Sequence, residues 1–200
     1  MKTIKFFLLS AILAFKYADS TAQHIYTHGV DAVSTDITYE VRVSPYTFYL
    51  KNAANELINQ PITWADGTEL TEDEYETLVL GTIKTGGFRK VIQETFSETE
   101  CEMLKSGKDY MDLFTVIDAN GRILELVFYV HKSPRTEAIS PEKFALLEQN
   151  LKKHVVYSIT EDMQKISFWR SFHRINFAVL GAYFKNPYAE TLPDSLQINP

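Results

Sequence analysis

The four residues Asp118-Ala119-Asn120-Gly121, lying between two β-prone runs at 113–117 and 122–130, constrain the fold more than any other stretch of the chain. An Asn-Gly pair accepts positive φ at low cost, so the two runs fold back on each other as an antiparallel hairpin. The second run carries Ile123, Leu124, Leu126, Val127, Phe128 and Val130. It is apolar on both faces along much of its length, which places it centrally in a sheet rather than at an edge.

Other segments supply partners for that hairpin. In residues 36–43, Ile37, Tyr39, Val41 and Val43 alternate with Thr38, Glu40 and Arg42, the period of a half-buried strand. Residues 46–60 carry a strand signal at 47–50 and a helix signal at 53–58. Three helix starts are marked by side chains that cap the first turn. Thr71 with Glu74 and Ser97 with Glu100 have capping-box spacing, and Ser140 precedes Pro141 at the first helical position. Phe88, Val91, Ile92 and Phe96 indicate a further helix between the first two. A strand over 155–159 and a last strand over 174–179 complete the reading. The order of elements predicts an α+β fold, a mainly antiparallel sheet with helices packed on one face.

Lys2 and Lys5 precede an apolar run at 6–15, and Ser20 and Ala22 stand at the −3 and −1 positions of a signal-peptidase cut. The run is about half the ~20 residues a membrane span needs. The expectation is a signal peptide at 1–22 and a single exported domain at 23–200, periplasmic or secreted. It would have no transmembrane anchor and, with no cysteine near the cut, no lipid anchor. Removing the leader takes three of the 20 basic and one of the 26 acidic side chains, so 17 face 25 and the formal charge goes from −6 to −8. Nucleic-acid binding rests on clustered Lys and Arg, so this balance argues against it.

Residues 113–179 resemble the C-terminal domain of TonB-type energy-transducing proteins. The likeness lies in Phe114-Thr115-Val116-Ile117-Asp118-Ala119-Asn120-Gly121-Arg122-Ile123 and in the helix at 141–153. The resemblance implies binding of a peptide by strand addition. The chain has no proline-rich spacer, and Val155-Val156-Tyr157-Ser158 stands where that family has an aromatic-x-Pro-Ala stretch. Taken whole, the chain is similar to small secreted proteins of unknown function from gut bacteria. These share the hairpin turn and a Ser-Pro-x-x-Phe/Leu-x-x-Leu-Glu helix, here Ser140 to Glu148.

Candidate chemistry is sparse. Cys101, the single cysteine, excludes an internal disulfide; as a nucleophile it would need a lowered thiol pKa and His131 or His154 within reach. His24 and His28 have a His-x-x-x-His spacing without the glutamate of a metalloprotease motif. The acidic clusters at 69–76 and 94–102 read as helix starts, where the dipole prefers anions. No catalytic residue, metal ligand or cofactor follows from these patterns. The aromatic C-terminal third, including Tyr183 and Tyr188, offers Trp169, Arg170, Phe172, His173 and Arg174 as an interaction surface, with a sealed core as its competing reading. The function expected is a non-catalytic protein-interaction module of the bacterial envelope with an envelope protein as partner. The alternatives are a secreted hydrolase and a soluble carbohydrate- or lipid-binding protein.

Overall fold

The computed structural model describes residues 26–79, 85–105, 108–181 and 184. The segment 1–22, His24, Tyr183 and Tyr188 lie outside these. The strands are β1 (Ala32–Val33), β2 (Thr38–Val43), β3 (Thr47–Asn52), β4 (Thr85–Gly86), β5 (Tyr110–Ile117), β6 (Ile123–His131), β7 (Val156–Tyr157) and β8 (Trp169–Asn176). The helices are α1 (Glu72–Val79), α2 (Phe88–Thr95), α3 (Glu98–Lys105), α4 (Pro134–Glu137) and α5 (Pro141–His154). Six strands form one antiparallel sheet in the order β1-β2-β3-β6-β5-β8, and β4 pairs with β7 apart from it. The fold is α+β, and β6 lies centrally, as its two apolar faces require.

Strand alternation divides the sheet into two unlike faces. Tyr39, Val41, Phe48, Leu50, Met111, Leu113, Phe128, Val130, Trp169 and Ile175 point one way. They share one core with Val91 and Ile92 of α2, Cys101 and Leu104 of α3, and Phe144, Leu147 and Leu151 of α5. Among the described residues, the other face carries a small apolar cluster, in which Val116 and Val127 lie under Ile58 and Phe168.

The caps form as the sequence indicates. Thr71 N–H donates to Glu74 Oε2 at 2.9 Å and Ser97 N–H to Glu100 Oε2 at 2.7 Å. Ser140 Oγ accepts from Lys143 N–H at 3.3 Å. Residues 47–52 are strand, and the helical signal beyond them yields only a single 3-10 turn at Leu57–Asn59. The strand expected over 155–159 shrinks to β7. The last strand begins at Trp169, five residues before the expected start, and stops at Asn176. There Asn176 Oδ1 accepts from Ala178 N–H and turns the chain into a 3-10 segment, Phe177–Val179.

The hairpin turn uses different chemistry from the one expected. Asn120 keeps negative φ; Asp118 Oδ1 accepts from the Asn120 and Arg122 N–H groups at 2.8 and 2.9 Å, and only Gly121 is left-handed, at φ 78°. This is a four-residue turn closed by a left-handed glycine, not an Asn-Gly pair with two positive φ values. A Cβ at Gly121 would collide with the Tyr157 carbonyl oxygen, while the Gly121 carbonyl accepts from Tyr157 N–H at 2.8 Å. Gly121→Ala therefore combines backbone strain with a clash against β7. We expect it to lower the unfolding free energy by about 2–3 kcal/mol in urea titration.

Candidate functional site: the open face of the sheet

The face turned away from α2, α3 and α5 carries a connected field of rings and charges. Cross-strand neighbours Arg42, Tyr49, Tyr129, Asp112 and Arg174 form one row, from β2 to β8. The Arg42 guanidinium sits 5.5 Å from the Tyr49 ring centroid. Tyr49 meets Tyr129 edge to face at 5.1 Å, and Tyr129 lies 6.4 Å from Phe172 in the next row. Tyr129 is 37% exposed and Phe172 51%. Arg174 binds Asp112 through Nε and Nη2, at 2.6 and 2.9 Å, and covers Tyr110 at 4.2 Å. The Asp112 partnership raises the Arg174 pKa further, so the guanidinium stays charged. Arg42 has no carboxylate partner among the described residues.

One end of this face is roofed by residues 55–62. Glu125, on β6, accepts from the backbone N–H groups of Glu56, Leu57 and Ile58 at 2.7, 2.9 and 2.9 Å. Arg170 Nη2 donates to the Leu57 carbonyl at 3.4 Å and also reaches the Gln60 carbonyl. At the other end, buried Asp109 accepts from His131 Nδ1 at 3.0 Å, Ser133 Oγ at 3.0 Å and Arg135 Nε at 2.9 Å. Burial pushes the Asp109 carboxyl up, but donors from Arg135, His131 and Ser133 outweigh it and hold it below the usual aspartate value.

The five residues singled out from sequence separate across the sheet. Trp169 is fully buried in the main core and so forms no part of a surface. His173 also points inward, stacked on Phe88 at 4.6 Å. Arg170 anchors the roof. Phe172 and Arg174 reach the open face, where they meet Arg42, Tyr49 and Tyr129, none of which was singled out from sequence. Their signal was the polar half of each strand's alternation, a half that ordinarily reads as solvated.

Burial lowers the His173 pKa from 6.5 to about 4, and its Nε2 is buried without a partner among the described residues. Because its folded-state value lies below its unfolded one, the unfolded chain binds the extra proton between these limits. Stability is then complete above pH 6.5 and falls as pH drops toward 4, by up to about 3 kcal/mol. Urea titrations across that window should show the loss, and His173→Phe should flatten it. An equal slope in both proteins would refute the assignment.

The remaining candidates resolve into structural roles. Cys101 is fully buried and burial pushes its thiol up to about 12, while His131 is engaged by Asp109 and His154 by Glu94 at 2.7 Å. The thiol is a core contact, not a nucleophile. His28 Nδ1 accepts from Val43 N–H at 3.2 Å. Glu74 and Glu100 complete their helix caps. Ser133 Oγ donates to Asp109 rather than to His131, so these three side chains do not form a nucleophile–base pair. A shallow cavity of about 140 Å³ between residues 34–36 and the first turns of α5 lies apart from this face. Among the described residues, no group of three or more His, Cys, Asp or Glu is placed to hold a metal, and no helix is long and apolar enough to cross a membrane.

The fold and this face define an α+β protein with one helix-covered and one aromatic, arginine-bearing sheet face. Its architecture is similar to the crystal structure of a DUF5043 family protein from Bacteroides uniformis, a family of unknown function. The likeness has a TM-score of 0.59 at 15% sequence identity and covers 78% of this chain and 89% of that one. No protein-family model and no curated protein matches the sequence. Nothing in these comparisons supports the resemblance of residues 113–179 to the TonB C-terminal domain.

Proposed function

We propose that this chain is an exported, non-catalytic protein-interaction module of the bacterial envelope, and that the open sheet face is its docking surface. The observation that carries the reading is the ladder from Arg42 through Tyr49 and Tyr129 to Phe172. Tyrosine and arginine are over-represented among the residues that dominate binding energy at protein interfaces. They sit here on a rigid sheet, where little side-chain entropy is lost on docking. The leader-like residues 1–22 support the envelope as the place of action.

The test is cross-linked recovery of partners from the native cell envelope by the tagged mature protein. The control is a Tyr129→Ser/Phe172→Ser double variant, both positions being partly exposed. The expected result is a reproducible partner captured by the wild type and lost by a variant of unchanged melting temperature. Equal recovery by both proteins would remove the open face from the function. No partner above the untagged control would shift the reading to a soluble carbohydrate or lipid ligand, or to a hydrolase.

A further inference from the structure

We propose that His131 and Arg135 form an oxyanion-binding corner, preorganised by buried Asp109, that takes a carboxylate or a phosphate group. This goes beyond the docking surface and does not depend on it. Asp109, at 2% exposure, bonds the two side chains through different oxygens: Oδ1 takes His131 Nδ1 and Oδ2 takes Arg135 Nε. A carboxylate below its ordinary pKa only accepts, so the proton of this hydrogen bond sits on Nδ1. That fixes the imidazole orientation and leaves Nε2 without a hydrogen-bond partner among the described residues. The Arg135 guanidinium spends one donor on Asp109, and its two terminal NH2 groups meet no acceptor among the described residues. The His131 and Arg135 side chains are 33% and 40% exposed.

The surroundings hold the imidazole without neutralising the corner. The His131 ring stacks on Tyr110 at 5.2 Å and 26°, and Tyr110 in turn lies under Arg174, whose charge is taken by Asp112. Lys132 Nζ lies 3.6 Å from a Glu137 carboxylate oxygen. Thr136 Oγ1 donates to the His131 carbonyl at 2.6 Å, which ties the backbone of the corner to α4. One buried carboxylate thus orients two solvent-facing side chains, the arrangement in which a supporting residue sets the geometry of those that meet the ligand. With His131 protonated, Nε2–H and the Arg135 terminal groups are donors without acceptors, and an oxyanion supplies what they lack.

The test titrates the mature protein with inorganic phosphate and, separately, with citrate, at fixed ionic strength and about pH 6. Calorimetry gives the affinity, and ring nitrogen shifts of ¹⁵N-histidine locate the site. The expected result is a saturable shift at His131 with His28 and His154 unmoved. Arg135→Gln should weaken binding about tenfold. His131→Asn, whose amide can still donate to Asp109, should weaken it as much while preserving the fold. Saturation by phosphate alone names a phosphoryl ligand, by citrate alone a carboxylate; either or both supports the site. No saturable shift at His131, or an unchanged affinity in a folded Arg135→Gln protein, would overturn it.

Discussion

Replacing Trp169 by alanine is expected to cost about 3–5 kcal/mol of folding stability, a fall in Tm on the order of 10 °C. Trp169 is the largest of the fully buried side chains, opposite Ile117 at the end of the β5–β8 ladder. Its indole Nε1 has no hydrogen-bond partner among the described residues, so truncation breaks no polar contact with them and the cost is that of lost apolar burial and a cavity. Trp169→Phe should be much milder, because it leaves a smaller void and removes a buried N–H that no described residue satisfies. Loss of partner binding in Trp169→Ala would therefore report unfolding rather than a lost contact. Urea titration of both variants decides the matter: an alanine variant as stable as the wild type would place this side chain outside the core.

The reason Trp169 reads two ways from sequence lies in its own strand. An inward row normally shows as apolar residues at every second position, but the row along β8 is Trp169, Ser171, His173 and Ile175. Two polar residues interrupt it, and the regular alternation of Ile175, Phe177 and Val179 has only its first member inside the strand. The helix starts were legible because capping is local: Thr71 with Glu74 and Ser97 with Glu100 need only three residues of context. α4 uses the same device with threonine in place of glutamate, Ser133 and Thr136 bonding reciprocally, and so escaped the template. The open face and the Asp109 corner were not legible for a different reason. Tyr49, Tyr129 and Phe172 come from three strands distant in sequence, and Asp109 and His131 are 22 positions apart. Only the β3-β6-β5-β8 order brings them together, and the hairpin fixes no more than the β5–β6 part of it.

Glu148→Leu is the second substitution with a large expected effect, about 3 kcal/mol destabilising. The pattern Leu147-Glu148 reads as one inward and one outward residue on α5, yet Glu148 is only 1% exposed. Its carboxylate accepts from Tyr39 O–H at 2.9 Å, Asn52 Nδ2 at 3.0 Å and Lys152 Nζ at 2.8 Å, joining α5 to β2 and β3. Burial, with the Glu148 charge added to it, pushes the Tyr39 hydroxyl pKa up, so that group remains a donor. Leucine would fill most of the volume but leave the Tyr39 hydroxyl, inside a fully buried residue, with no acceptor, and Asn52 would lose its own. Replacing a whole buried polar set by apolar residues can be neutral, whereas removing the one acceptor that serves three donors cannot be. Lys152 is partly exposed and can rehydrate, which keeps the expected cost toward the lower end of that for a broken buried pair. Glu148→Gln keeps one acceptor oxygen and the shape, and should cost about 1–2 kcal/mol. If the network acts as a unit, Tyr39→Phe should lose most of its own effect in the Glu148→Leu background, since its partner is already gone. A double-mutant cycle in urea that gave strictly additive losses would show instead that Tyr39 and Glu148 contribute independently.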